Sequence, residues 1–256
     1  PFLAILLFET PSGRLDWGWL LKLSLLITVI FIQGTFHLVV WCLIFLGLLV
    51  LFDRQRRKHA FWAALFALLF SLFRILPAAL NSGTLSVEFL TGFATSGDFL
   101  RGMLEVVQPS LDYTLPGNLV THHIGWWEFD FFIGWAGFAF IAVFGVWMWA
   151  REGKILPSWV RGLYLPMIAL FILSMGKLYQ PIFMLNIPLL TAERVTSRFW
   201  TLPLVFLIFL AAIGLQKYLD RSRLGRLGLM VYLSGTLVLV TDLQRHGRAL
   251  PDGRRQ

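Results

Sequence analysis

The chain is poor in two kinds of residue. There is one cysteine, Cys42, in 256 residues, and it sits inside an apolar run. A lone thiol excludes an intrachain disulfide and any cluster of thiolate ligands. Charge is also scarce: 14 % of residues are Asp, Glu, Lys or Arg, against about 25 % in soluble domains. With 57 % hydrophobic residues and a mean hydropathy of +0.73, that scarcity excludes a water-soluble single domain. An internal repeat, a Gly-rich phosphate loop and a heptad pattern are missing too. The chain opens at Pro1 with no basic segment leading a cleavable apolar one, so no signal peptide is expected. Pro1 is expected to be preceded by further sequence.

What is present is a series of apolar runs of the length that crosses about 30 Å of hydrocarbon. The expected fold is all-α: a polytopic helical membrane bundle of about seven spans. The stretch from Trp17 to Phe52 is too long for one span and breaks at Gln33-Gly34-Thr35-Phe36-His37, giving spans at 17–33 and 36–52. Further spans are expected at 60–80, 129–150, 159–176, 199–219 and 225–242, so that 1–243 form one transmembrane domain and 244–256 a basic tail.

The chain carries 22 Lys+Arg against 14 Asp+Glu, a net charge of +8. In a membrane protein this excess marks cytoplasmic loops before it suggests nucleic acid, and no nucleic-acid partner is expected. The short loop Asp53-Arg54-Gln55-Arg56-Arg57-Lys58-His59 anchors the orientation on the cytoplasmic side. Alternation from there puts the basic turns after Ala150 and Leu219 on the same side, although hydropathy alone did not require it. Residues 81–128 and 178–198 become outer loops, the first reading as one or two short interfacial helices. Arg245, Arg248, Arg254 and Arg255 fall on the outer side, against the rule. Either span seven is not a full crossing or a larger outer segment follows. Trp17, Trp19, Trp126, Trp127, Trp147, Trp149 and Trp159 lie near span ends, where interfacial aromatics belong.

Ionisable groups in or at the mouth of a bundle are costly, so each is a candidate site. Arg74 lies in the outer third of span three, where its planar fork suits a phosphate or carboxylate, or snorkels to the interface. His122 and His123, with Glu128 and Asp130, gather where the chain returns to the membrane; they suit a divalent metal or proton transfer. Adjacent histidines lack the i, i+4 spacing of a helical ligand pair, so the metal signal is weak. Arg194 and Arg198, if helical, share one face and suit a lipid phosphate, with Glu193 as an alternative ion partner. His37 is a further polar group on the outer face.

Three of these stretches resemble GT-C-type membrane glycosyltransferases, particularly the bacterial YfhO-like membrane proteins. Glu128-Phe129-Asp130-Phe131-Phe132-Ile133-Gly134 resembles their acidic, aromatic-Ile-Gly head of a span. Arg194-Val195-Thr196-Ser197-Arg198-Phe199 is similar to their Arg-x-x-Ser-Arg-Phe element, with Thr196 where relatives often have Pro. Gly34-Thr35-Phe36-His37 resembles a Gly-x-x-His turn. The resemblance implies transfer of a sugar from a polyprenyl-phosphate donor on the outer side of the cytoplasmic membrane. Arg194, Arg198 and Arg74 would then bind the donor phosphate, and Glu128, Asp130, His122 and His123 would orient the acceptor or a metal. No stretch here matches the outer loop that carries the family's catalytic aspartate. Competing readings are a non-catalytic subunit packed through 24 Phe and 11 Trp against other membrane subunits, and a transporter or flippase of an anionic lipid.

The orientation has a direct test. A cysteine introduced at Ser82 is expected to react with an impermeant thiol reagent in intact cells, and one at Gln55 to stay unlabelled. The reverse pattern overturns the topology.

Overall fold

The computed structural model describes residues 2–9, 11, 15–81, 89–105, 111–114, 121–124, 128–151, 158–185, 193–221, 228, 230, 233–238, 240–241 and 244. Apart from one two-stranded ribbon, the regular structure among them is helical. The chain forms two compact units, one from Pro1–Gly92 with Leu156–Phe206, the other from Phe93–Ile155 with Leu207–Gln256.

The first unit contains α1 (Phe2–Phe8), α2 (Trp17–Ile32), α3 (Phe36–Phe52), α4 (Arg57–Asn81), α7 (Ser158–Ser174) and α8 (Gln180–Met184). In α2 the buried residues Leu20, Leu23, Ser24, Ile27, Thr28 and Phe31 recur at helical spacing. Its opposite face, Leu21, Leu25, Val29 and Ile32, is exposed and just as apolar. A helix apolar all round needs an apolar environment on its outer side. Helix α4 makes the same point through residue size. Its buried face is Ala60, Ala63, Ala67 and Ser71, while Phe61, Trp62, Leu69, Leu72, Phe73 and Leu76 point outward. Small residues let helix backbones approach where lipid supplies no hydrophobic drive, and Ser24 Oγ accordingly donates to the Ala63 carbonyl across α2 and α4 at 3.1 Å.

Three helices, Arg57–Pro77, Gly134–Arg151 and Thr196–Asp220, are long and apolar enough to cross a membrane. Trp17–Ile32, Phe36–Phe52 and Val160–Ser174 are apolar but shorter. These six match six of the expected spans in position. Of the seventh, at 225–242, only part lies among the described residues, with 233–238 helical. The tail from 245 onward lies outside them.

The second unit contains α5 (Ser96–Leu104), the antiparallel ribbon β1 (Leu111–Thr114) and β2 (Thr121–Ile124), and α6 (Gly134–Arg151), whose middle, Ile141–Trp147, is π-helical. Helix α5 supplies one interfacial-type helix of the 81–128 loop, and the ribbon stands where a second was expected. Thr95 opens α5 with a capping box: its hydroxyl accepts from Asp98 N at 3.1 Å, and Asp98 Oδ2 accepts from Thr95 N at 3.0 Å. A last helix, α9 (Thr201–Arg221), follows a 3₁₀ turn at Thr196–Trp200. In the second unit Gly145 and Gly214 seat α6 and α9 against each other. A Cβ at Gly145 would come 2.9 Å from the Leu207 carbonyl, and one at Gly214 would overlap that of Phe144.

Two of the tryptophans expected at interfaces belong to the core. Trp19 and Trp149 are buried, their indole N–H groups donating to the carbonyls of Leu6 and Leu210 at 3.0 Å each. Trp17 and Trp147 are exposed, as span-end residues should be.

The loop after α3 is more than a basic turn. Arg56 is buried and donates from Nη1 to Asp53 Oδ2 at 2.5 Å, from Nε to the Glu9 carbonyl at 3.1 Å and from Nη2 to the Phe8 carbonyl at 3.1 Å. It thereby caps the C-terminal end of α1, where cations and orphan carbonyls meet favourably. Burial pushes the guanidinium below its ordinary pKa, while the Asp53 hydrogen bond and charge push it back up. Gly162 of α7 lies against this pair, and a Cβ there would overlap Asp53 Oδ2.

Removing one partner of a buried pair strands the other charge, at a cost of about 3–5 kcal/mol. Arg56→Ala is expected to lower the unfolding temperature in detergent markedly, and Asp53→Asn/Arg56→Met to restore most of it. Equal melting of Arg56→Ala and wild type would contradict the burial.

Candidate functional site

The end of the first unit opposite the Asp53–Arg56 pair gathers the remaining polar groups. Helix α3 fixes the opposition, because His37 lies in its first turn and Asp53 just beyond its last. Residues 193–195 run extended beside 89–92: Leu90 N and Thr91 N donate to the Arg194 carbonyl at 3.0 and 3.3 Å, and Thr196 N donates to the Thr91 carbonyl at 2.9 Å. This brings Glu193 to His37, 156 positions away in sequence. His37 Nδ1 and Glu193 Oε1 are 2.7 Å apart. Glu193 is fully buried, whereas 45 % of the His37 side chain is exposed.

An ionised Glu193 accepts this hydrogen bond from the Nδ1 side of the ring. The pair is a partly accessible imidazole whose ring orientation is fixed from behind by a buried acid. Glu193 Oε2 and Thr196 Oγ1 are buried and have no hydrogen-bond partner among the described residues. Tyr179 is buried nearby, its phenol pushed above the ordinary tyrosine pKa by burial and then by the charge of Glu193. Glycine is required at the floor. A Cβ at Gly92 would overlap the Ser174 carbonyl and Thr196 Oγ1, and Gly176, whose φ is +70°, turns the chain beside it.

Several expected site residues have other surroundings. Arg74 turns to the backbone of α2. Its Nη1 donates to the carbonyls of Phe31 and Ile32 at 2.9 and 2.5 Å, and its guanidinium lies 5.3 Å from the Phe31 ring centroid. It caps the end of α2, because those last carbonyls have no partner within the helix. Arg194 and Arg198 do not share an α-helical face, since Arg194 is in the extended segment and Arg198 in the 3₁₀ turn. Pairing of 194–196 with 90–91 takes the backbone groups that an earlier helix start would need. Arg194 is exposed and Arg198 half-buried. Glu193 pairs with His37 instead of an arginine.

Glu128 and Asp130 do not open a helix together, because α6 begins only at Gly134, at φ +66°. Phe131 N and Ile133 N donate to the carbonyls of Gly102 and Met103 at 3.0 Å each, and Asp130 Oδ1 accepts from Phe132 N at 3.1 Å. These bonds tie 131–133 to the end of α5. Both carboxylates are half-buried, and Phe129 between them is fully buried. His122 and His123 are neighbours on β2, in register with Tyr113 and Asp112. Among the described residues no group of three His, Cys, Asp or Glu could hold a metal.

The three long apolar helices make this a multi-pass helical membrane protein. Compared with protein-family models, curated proteins and solved structures, the chain matches none. The likeness to GT-C-type proteins therefore stands on the three motifs alone.

Arg74→Ala is expected to destabilise the fold by about 1–3 kcal/mol through the orphaned α2 carbonyls, the range for charge-assisted hydrogen bonds. It is expected to leave binding of a polyprenyl-phosphate analogue unchanged. Loss of that binding at unchanged melting temperature would return Arg74 to the site.

Proposed function

We propose that this chain is part of a GT-C-like enzyme of the cytoplasmic membrane, with about seven spans and its active face outside. It transfers a sugar from a polyprenyl-phosphate donor. The observation that carries the reading is the His37–Glu193 pair: a half-exposed imidazole backed by a fully buried carboxylate. Ordinary interfacial residues have no need of a buried acid behind them. His37 Nε2 takes the proton of an acceptor hydroxyl as that oxygen attacks the anomeric carbon. The bond from the anomeric carbon to the phosphate oxygen breaks, and the departing lipid phosphate keeps the electron pair. Arg194 and Arg198, one and five residues after Glu193, supply the positive charge that the leaving phosphate requires. In this reading the catalytic aspartate of the family's outer loop comes from sequence outside this chain, and the acceptor approaches the His37 side of the first unit.

The test is release of labelled sugar from a polyprenyl-phosphate donor by the full-length protein. His37→Gln keeps a polar side chain but no proton-accepting nitrogen, and is expected to cut turnover by about 10²–10⁴-fold, the usual worth of a general base. Arg198→Lys keeps the charge but not the fork, and is expected to weaken binding of a donor analogue by roughly 1–3 kcal/mol. Wild-type turnover in His37→Gln sinks the reading. Unchanged binding in Arg194→Ala/Arg198→Ala reduces both arginines to headgroup contacts.

A further inference from the structure

Arg54, Arg57 and Lys58 stand exposed around the turn between α3 and α4, and none of the ion pairs among the described residues includes them. The acid of that turn, Asp53, is committed to Arg56. Arg57 is nonetheless fixed. Its Nε and Nη2 donate to the carbonyls of Val50 and Leu51 at 2.8 and 3.3 Å, which holds the guanidinium over the last turn of α3 and leaves Nη1 without a partner among the described residues. Helix α4 opens at Arg57 with no acid in its first turn, so the positive end of its dipole meets two more cations and no carboxylate. An anion from outside the described residues relieves that arrangement.

Val50 and Leu51 also line an apolar groove of about 520 Å³ between α3 and α4. Leu43 and Gly47 continue it along α3, and Phe61 and Leu68 line it from α4. The Arg57 guanidinium therefore stands at the mouth of the groove, bonded to two of the residues that form it. From Leu51 inward to Leu43 the groove follows α3 for about 12 Å at the helical rise. One leaflet contributes about 15 Å to the hydrocarbon core, so a groove of this length fits the leaflet on the Asp53 side. Gly47 keeps its floor open, since a Cβ built there meets nothing within 4 Å.

A soluble anion would leave the groove empty. A zwitterionic lipid brings its own cation and would leave the three side chains without net compensation. We infer that an anionic phospholipid of the phosphatidylglycerol type binds here from the leaflet on the Asp53 side, its phosphate on Nη1 of Arg57 with Arg54 and Lys58 beside it, and one acyl chain in the groove. A planar guanidinium already held by two carbonyls presents its remaining donors to phosphate oxygens at little further cost in ordering. The site lies at the opposite end of the unit from His37 and does not rest on the proposed function.

The experiment places the full chain in phosphatidylcholine nanodiscs containing a minor share of phosphatidylglycerol, with one lipid or the other carrying a diazirine in its tail at equal mole fraction. Peptides covering 43–51 and 61–68 are expected to be labelled about tenfold more by the phosphatidylglycerol probe, the scale of one charge-assisted hydrogen bond. Gly47→Phe fills the groove and leaves every cation in place; it is expected to bring that labelling down to the level of the phosphatidylcholine probe. Arg54→Gln/Lys58→Gln leaves the Arg57 cap bonds intact and is expected to remove most of the preference. Both variants are expected to melt as the wild type in detergent. Equal labelling of the wild type by the two probes means bulk bilayer lipid only and overturns the proposal, as does undiminished labelling in Gly47→Phe. Displacement of the probe by isoprenyl phosphate at lower concentration than by phosphatidylglycerol overturns it too, because the groove would then belong to a different lipid.

Discussion

The first unit meets one constraint again and again, that the last carbonyls of a helix have no partner within it. Arginine answers it three times. Arg56 takes the carbonyls of Phe8 and Glu9 at the end of α1, Arg57 those of Val50 and Leu51 at the end of α3, and Arg74 those of Phe31 and Ile32 at the end of α2. Each bond also places a cation at the negative end of a helix dipole. The five donors of a guanidinium allow Arg56 to hold α1 and Asp53 at once. With the ends tied in this way, the helix flanks are free to be apolar on every side.

That division of labour separates the two ends of the unit chemically. At one end Asp53 accepts from the backbone N–H groups of Gln55 and Arg56 as well as from the Arg56 side chain, and Asp16 caps α2 through Trp19 N, while His59 Nδ1 stays buried without a partner among the described residues. At the other end Glu193 Oε2 and Thr196 Oγ1 are in the same position, around a glycine floor with no room for a Cβ. Buried polar atoms without partners are costly. What distinguishes the His37 end is a half-exposed imidazole held by a buried carboxylate.

Much of the fold was legible in the sequence because membrane helices are written in one dimension. Apolar runs interrupted at Gln33-Gly34 and Asp53 gave α2, α3 and α4 nearly to the residue, since span length is set by the bilayer and not by distant contacts. The site was legible only in its inventory. His37 and Glu193 were both visible as outer polar residues, but nothing links positions 156 apart until the 193–196 segment pairs with 90–91. Helical phase misled at Arg194–Arg198 and at Glu128–Asp130. At the first, 194–196 pair with 90–91 and a 3₁₀ turn follows; at the second, the α-helix begins only at Gly134, so 3.6 residues per turn describes neither stretch.

The sequence by itself determined that the chain lives in an apolar environment, where α2 and α3 begin and end, and which loops carry positive charge. These follow from composition and local periodicity. Tertiary structure decided which acceptors a charge meets. In the sequence Arg74 is an arginine near the end of a span, open to lipid phosphate or to the interface. Only packing shows that Arg74 is spent on the carbonyls of α2. The physical reason is that a guanidinium at the end of a long side chain takes whichever acceptors the neighbouring helix presents, and neighbours are fixed by the fold, not by the order of residues.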